Sequence, residues 1–446
     1  MAFIRSINNW VLLGAILTGL SLATADNQAA AVEPVAPTLS VADARRAAFL
    51  NNWDLLAAKS DVDIATAQRL VAREFPNPTL SLGTSKISFD GHPNGTSQGN
   101  GLWERSYDTV TAIGQLIEIG GKRAARKVAA AAGLRGAEAR LADARRLLDQ
   151  AVTQAYVAAV LAERNEQVLA DSVASLRQEA NIAAARQHAG DISTADQSQI
   201  EIAAARLELD ARDAEAAARA ARVQLEILLG ERKPQGHTQL TETLEQLSEA
   251  SPGQRATAAP SELMAPPQRA DLTAAEAART KAEADLRLQK AQRVPDPTVS
   301  FQYEHEPPDL PNTVGLMVSF PLPLWNRNRG NITAAEAVVR QAATQAEKVR
   351  AQIIADIVTA RVAFDAAQAR WRRYREELQP KSGKVRESVA FAYQKGGASL
   401  LDLLTAQRTD NEVRLATAQA AAAAANAAAA LRAALNPPDN SNSPKP

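Results

Sequence analysis

Glu304-His305-Glu306 is the run in this chain with the strongest metal-ligand character, because imidazole and carboxylate both bind divalent cations. Strand alternation, however, puts His305 opposite its two neighbours. The other histidines, His92, His188 and His237, are widely scattered. With no cysteine and three methionines among 446 residues, soft ligands are nearly lacking, so neither a resident metal nor a cofactor is expected. No catalytic constellation emerges either: there is no Gly-x-Ser-x-Gly, no His-Glu-x-x-His, no phosphate-cradling glycine loop, and no histidine beside a plausible nucleophile. The chain reads as a non-enzyme. Its formal charge of +0 and the absence of a basic face with stacking aromatics argue against nucleic acid. Two turns carry the remaining polar signal. Gly190-Asp191 is followed by Ser193-x-x-Asp196, and Gly396-Gly397 by Ser399-x-x-Asp402. Each serine reads as a helix N-cap worth about 1 kcal/mol, with its aspartate favoured by the helix N-terminus.

Those turns belong to a tandem duplication. Pro76-Asn77-Pro78-Thr79-Leu80 returns as Pro295-Asp296-Pro297-Thr298-Val299, and such a repeat governs how every single motif is interpreted. Residues 1–25 carry Arg5, an apolar run from Val11 to Leu22 and the small residues Ala23-Thr24-Ala25, the pattern of a secretory signal peptide. A cleavage site near Ala29 to Ala31 is an alternative. A leader over 26–37 follows, then a first repeat over 38–229, a proline-rich linker over 230–267, a second repeat over 268–435 and a disordered tail over 436–446.

Within the first repeat, Ser40 with Asp43 should cap one helix running to about Glu74. Pro76 and Pro78 end it and force extended chain. Strand residues Leu80, Leu82, Ile87 and Phe89 precede a Gly/Asn-rich loop over 91–101, expected to face outward, and a second strand spans about Ser106 to Glu118. Lys122 to Ala189 holds no proline, and Leu141, Leu148, Ala155, Ala162, Leu169, Leu176 and Ala183 recur every seven residues, a coiled-coil period. A helix from Ser193 to about Leu229 closes the repeat. The second repeat predicts a helix over 269–293, Pro295 and Pro297, strands over 298–304 and 313–320 around a loop at 305–312, and a second long helix. That helix carries Ile357, Phe364, Trp371, Leu378 and Val385 at sevens. Pro380 inside it should remove one backbone bond and kink it. The last helix spans about Ser399 to Leu435. Trp103, Tyr107, Tyr303 and Trp325 lie near strand ends, where aromatic girdles meet a membrane interface or loops simply pack.

Gly121 to Gly190 and Arg327 to Gly396 are equal spans, each about 100 Å if helical. Residues 194–229 with 269–293, and 399–435 with 40–74, have the same summed length, so two short helices should stack end to end beside each long one. Four strands cannot close a membrane barrel, which starts at about eight, and open edges are not tolerated in lipid. Closure therefore calls for several chains, and three would supply twelve strands.

The duplicated strand pair and long helix, the Pro-x-Pro-Thr lead-in, the Gly-x-x-Ser-x-x-Asp reversal and Leu401-Asp402-Leu403-Leu404-x-Ala406-Gln407-Arg408 together resemble the TolC-type outer-membrane efflux family over about residues 38–435. Pro321-Leu-Pro-Leu-Trp-Asn-Arg-Asn-Arg-Gly330-Asn-Ile resembles its CzcC-like branch, which serves cobalt–zinc–cadmium pumps. The resemblance implies a mainly α fold with a membrane β-barrel part: a homotrimer whose 12-stranded β-barrel in the Gram-negative outer membrane is continued by a long α-helical barrel through the periplasm. It also implies a periplasmic adaptor, an inner-membrane resistance-nodulation-division transporter and outer-membrane lipid as partners. The turns would lie at the periplasmic end, placing Asp191, Asp196 and Asp402 in rings around the entrance. Tyr393 and Asp402 match positions of the closing network, although Ala398 stands where a basic residue is expected there. The function implied is a passive exit duct for divalent heavy-metal cations. The rivals are the same duct for drugs or small organics, and a periplasmic coiled-coil adaptor, which would normally carry one helical hairpin rather than two.

Overall fold

Helices in this chain start and stop at local chemical signals, and the exceptions occur where a distant segment supplies the signal. A computed structural model describes residues 38–85, 108–249, 269–306 and 310–435. The signal, the leader, Ile87, Phe89, the loop 91–101, Trp103, Tyr107, His92, the linker prolines from Pro252 onward and the tail lie outside the described residues. The elements are β1 (Thr38–Leu39), α1 (Val41–Asn51), α2 (Trp53–Val71), β2 (Thr79–Ser85), β3 (Asp108–Leu116), α3 (Lys122–His188), α4 (Thr194–Leu228), β4 (Gln239–Leu240), α5 (Leu244–Glu249), α6 (Ala270–Ala291), β5 (Thr298–Glu306), β6 (Leu310–Ser319), α7 (Arg329–Arg373), a π-helical segment (Tyr374–Leu378), α8 (Gln379–Gln394) and α9 (Leu400–Leu435).

The helix expected over 40–74 is two helices. Asn52 sits in extended backbone and its Oδ1 accepts from Leu55 N at 3.1 Å, capping α2, while its Nδ2 donates to Leu228 O at 3.0 Å. An asparagine that satisfies a helix N-terminus and a distant carbonyl together outcompetes the helical hydrogen bond it interrupts. The second long helix is also interrupted. Pro380 cannot donate to the turn before it, and the chain answers with the π segment rather than a free bend. That turn breaks the heptad. Ile357 and Trp371 are buried, but Val385 is exposed and Arg386 turns inward to Asp410, 3.3 Å away.

The proline-rich linker carries structure at its start. β4 pairs in parallel with β1, and the buried Tyr156 hydroxyl of α3 donates to Leu39 O at 2.8 Å while accepting from Thr241 N at 3.2 Å. Burial pushes that phenol up to about 12. The carboxylate of Glu226 accepts from Gln235 N (2.7 Å), Gly236 N (2.8 Å) and the Thr238 hydroxyl (2.8 Å). Tyr156, Leu55, Leu225 and Trp371 share the largest apolar cluster, so the core sits at this midpoint.

α3, with 67 residues about 100 Å long, packs along α4 and then α6, as two helices placed end to end. The second expected stack differs. α9 lies against α7 and α8, but α2 packs on α3, because the β2–β3 hairpin returns the chain beside itself. Among the described residues one flank of α7 is left uncovered, and the helix buries only Ala346, Ile353, Ile357 and Trp371.

Candidate functional site

Three places could act on a passing solute or a membrane: the sheet, the helix–strand junctions and the reversal turns. The sheet has the order β2-β3-β5-β6, antiparallel throughout. Its register aligns Leu80, Ile113, Phe301 and Leu316 in one row across all four strands, with Leu82, Thr111, Tyr303 and Val314 in the next same-facing row. The intervening row is Ser81, Ala112, Gln302 and Gly315. Successive residues face opposite sides, so one face is apolar and the other small or polar. Leu80, Leu82, Phe301, Val314 and Leu316 are all exposed, and among the described residues neither outer edge is paired. The strands β5 and β6 extend through most of the loop expected at 305–312, with a register shift between Glu304 and Glu306. His305 is buried, 3.4 Å from Asn312 Oδ1 through Nδ1, and among the described residues no three His, Asp or Glu side chains converge on a metal position.

The junctions are built by the proline pairs. Pro76 O accepts from Gln115 Nε2 at 2.9 Å, and Pro297 O from Ile117 N at 2.8 Å. Between Pro295 and Pro297, Asp296 accepts from Ile119 N at 2.9 Å and holds the buried Lys122 ammonium at 2.7 Å, which also donates to Val294 O at 2.6 Å. The first residue of the long helix α3 is thereby fastened to the other repeat. The first copy has Asn77 at this place, and that exchange of amide for carboxylate within the repeat was the signal that could have found the clamp. Gly121 and Asn328 precede the long helices with left-handed φ of 81° and 57°, so the true counterpart of Gly121 is Asn328, one residue past Arg327. Asparagine tolerates that conformation. Asn326 Oδ1 accepts from Asn328 N at 2.9 Å and Asn328 Nδ2 donates to Gln289 O at 2.8 Å, which gives the Trp-Asn-Arg-Asn stretch a structural reason.

The two reversals have one geometry. Gly190 and Gly396 take φ of 85° and 77°, and the N–H groups of Asp191 and Gly397 return to Arg186 O and Ala392 O at 2.9 and 2.7 Å. This is the glycine-closed helix end. Ser193 and Asp196 cap each other, and so do Ser399 and Asp402, whose hydroxyl-to-carboxylate distance is 2.6 Å. That hydrogen bond and the Ser399 N–H hold the Asp402 carboxyl below its ordinary range. Asp191 and Asp402 are exposed and Asp196 half-buried. Tyr393 and Leu400 join Leu176 and Ile200 in one apolar cluster, so the reversals lie side by side. Tyr393 is buried with no hydrogen-bond partner for its hydroxyl among the described residues, while Arg186 donates to Tyr393 O at 3.0 Å and lies over its ring. Arg186 had no signal of its own in the sequence. Above the turns, α3, α4 and α9 flank a groove of about 390 Å³ lined by Arg206, Asp210, Arg408 and Glu412. Among the described residues no helix is long and apolar enough to cross a membrane.

This architecture has known counterparts. The family model "Outer membrane efflux protein" matches residues 44–231 and 264–437. The cobalt-zinc-cadmium resistance protein CzcC of Cupriavidus metallidurans is 26% identical over 371 residues, covering 82% of each chain. Among solved structures, CusC superposes with a TM-score of 0.74 at 19% identity, covering 89% of this chain and 92% of its own. VceC of Vibrio cholerae gives 0.69 at 21%, covering 89% and 95%.

Proposed function

Because the chain belongs to the outer membrane efflux protein family, and is therefore an efflux channel and not an enzyme, we propose that it is the passive exit duct of a tripartite system for divalent heavy-metal cations. In this reading three chains close a twelve-stranded barrel in the outer membrane, and their helices continue it into the periplasm towards an adaptor and an inner-membrane resistance-nodulation-division pump. The observation that carries it is the sheet: apolar rows in register on one face, polar and small rows on the other, and two edges unpaired among the described residues. Such a surface is stable in lipid only when closed. The uncovered flank of α7 supports the same closure, since Ile354, Val358 and Val362 form an exposed apolar stripe, as a neighbour's helix would require.

Cation cargo is supported by the likeness to CzcC and by carboxylates at the turns. Threefold repetition would ring the entrance with Asp191, Asp196 and Asp402 and raise local cation concentration. We assign Tyr393 a positioning role in the closed tip, because its ring is held inside the protomer. The groove beside Arg408 and Glu412 offers the adaptor a charged seat. The leading segment acts as an export signal, and the long helices pair as coiled coils.

The test is native mass and single-channel conductance of the detergent-extracted outer-membrane protein, with zinc, cobalt and cadmium tolerance of a deletion strain. A trimer with low conductance that rises in Asp402→Ala, together with restored tolerance, is the expected result. A water-soluble monomer overturns the barrel, and restored drug tolerance without metal tolerance overturns the cargo.

A further inference from the structure

Seven cations gather where the helices meet the sheet, in a pattern repeated in both halves of the chain. In the first repeat Arg69 and Arg73, at the end of α2, face Lys127 and Arg135 of α3 across a groove of about 410 Å³ floored by Val128 and Ala131. In the second, Lys290 and Arg293, at the end of α6, face Arg327 across about 500 Å³ beside Pro323. Both volumes fall within the range of about 300–1,000 Å³ typical of small-ligand clefts. Among the described residues the only ion pair these seven make is a long one, Lys290 to Glu336 at 3.8 Å. Neighbouring cations differ: Lys122 and Arg126 are fully engaged by Asp296 and Glu118. Arg123 adds a further charge, tied to Arg73 O at 2.6 Å and stacked 3.9 Å from the exposed Phe75 ring.

What lies beside the grooves decides what they take. The apolar rows of the sheet run on past its end as Ile117, Ile119, Phe320, Leu322 and Leu324, all exposed, and finish at Trp325, 93% exposed. In the second repeat the chain thus passes from apolar band to exposed indole to the basic groove within a few residues, and in the first the exposed Phe75 ring stands between the strand and Arg73. That is the order of a bilayer boundary seen from hydrocarbon to headgroup. Guanidinium groups match phosphate oxygens two at a time, and Lys or Arg near an anionic leaflet gains about fivefold in binding each.

We propose that the two grooves bind the phosphate headgroups of anionic phospholipids in the periplasmic leaflet, so that a collar of basic sites sets the depth of the barrel in the membrane. The proposal rests on the reading that the apolar face of the sheet meets lipid. A free phosphate ion shares the headgroup chemistry but gains nothing from the apolar band, which is why lipid is the occupant chosen here.

The experiment titrates the detergent-solubilised full chain with phosphatidylglycerol or phosphatidylethanolamine and counts bound lipid by native mass spectrometry. Mass and conductance are read on the same samples. The wild type should prefer phosphatidylglycerol at least about tenfold, and Arg69→Gln/Arg73→Gln/Lys127→Gln should lose about tenfold of that preference. Arg206→Gln/Arg408→Gln, far from the sheet, should keep it. Equal binding of the two lipids by the wild type, a measure that needs no variant, overturns the proposal, as does a triple variant that keeps its preference. Displacement of the lipid by millimolar inorganic phosphate also overturns it, in favour of a soluble anion. A conducting trimer indifferent to lipid charge sinks this inference alone, whereas a lipid-free, non-conducting monomer sinks the duct reading with it.

Discussion

Two buried carboxylates show how environment sets opposite pH behaviour. Burial would raise Glu226, but the backbone N–H of Gly236, the Thr238 hydroxyl and further N–H donors outweigh it and hold its carboxyl below the ordinary range. Its contribution is therefore present above about pH 4.5 and lost as pH falls through the lowered folded value. Glu226→Gln should cost about 2 kcal/mol at neutral pH, with the difference from wild type shrinking in acid, as followed by thermal unfolding across pH. Glu179 is the converse. Burial pushes it up, with a weaker counter-effect from Gln394 and Arg386, and one carboxylate oxygen has no partner among the described residues. Its ionised form weakens the fold increasingly as pH rises above about 4.5 through the raised folded value. Glu179→Gln should accordingly stabilise by about 1 kcal/mol at neutral pH and match wild type below pH 4; destabilisation at neutral pH would refute this. Neither sign was visible in sequence, because the donors to Glu226 come from a turn inside the proline-rich linker, where no local pattern marks them.

At the scale of elements, the ends of α4, α1 and α2 meet at one crossing. Gly230 takes φ of 82°, and a Cβ there would stand 2.7 Å from the carbonyl carbon of Asn51. Gly230→Ala should destabilise by about 3 kcal/mol or more, combining left-handed strain with the clash, measured as a fall in unfolding midpoint. A surface glycine such as Gly121, whose added Cβ meets nothing, should lose only its conformational share, about 1 kcal/mol. The caps at Ser40, Ser193 and Ser399, the reversals at Gly190 and Gly396 and the proline-bounded strands were legible because each is decided within a few residues. The break at Asn52 and the inward turn of Arg386 were not. The first needs Leu228, 176 residues away, and the second follows a π turn that shifts a heptad by one residue.

For the whole molecule, the sheet makes the sharpest demand. Leu316→Arg places a charge in the apolar row and should cost about 2–4 kcal/mol if that row meets the bilayer midplane, seen as lost outer-membrane trimer. Gln302→Arg, in the intervening polar row, should leave the trimer intact and lower cation conductance. Equal tolerance of both substitutions would mean that the sheet does not separate lipid from lumen.

The sequence by itself determined the tandem repeat, the order of helices and strands, the alternation of the strands and the chemistry of both turns, since period, proline and capping act over one or two helical turns. Only the tertiary structure decided which helix lies beside which, the β1–β4 pair held by Tyr156, the clamp of Lys122 by Asp296 and the gathering of cations beside the sheet. Those features join residues far apart in the chain, as Val41 N and Glu242 are, 201 positions apart and 2.8 Å from each other. Side chains of that separation meet only after the helices have packed, and no local pattern encodes the meeting.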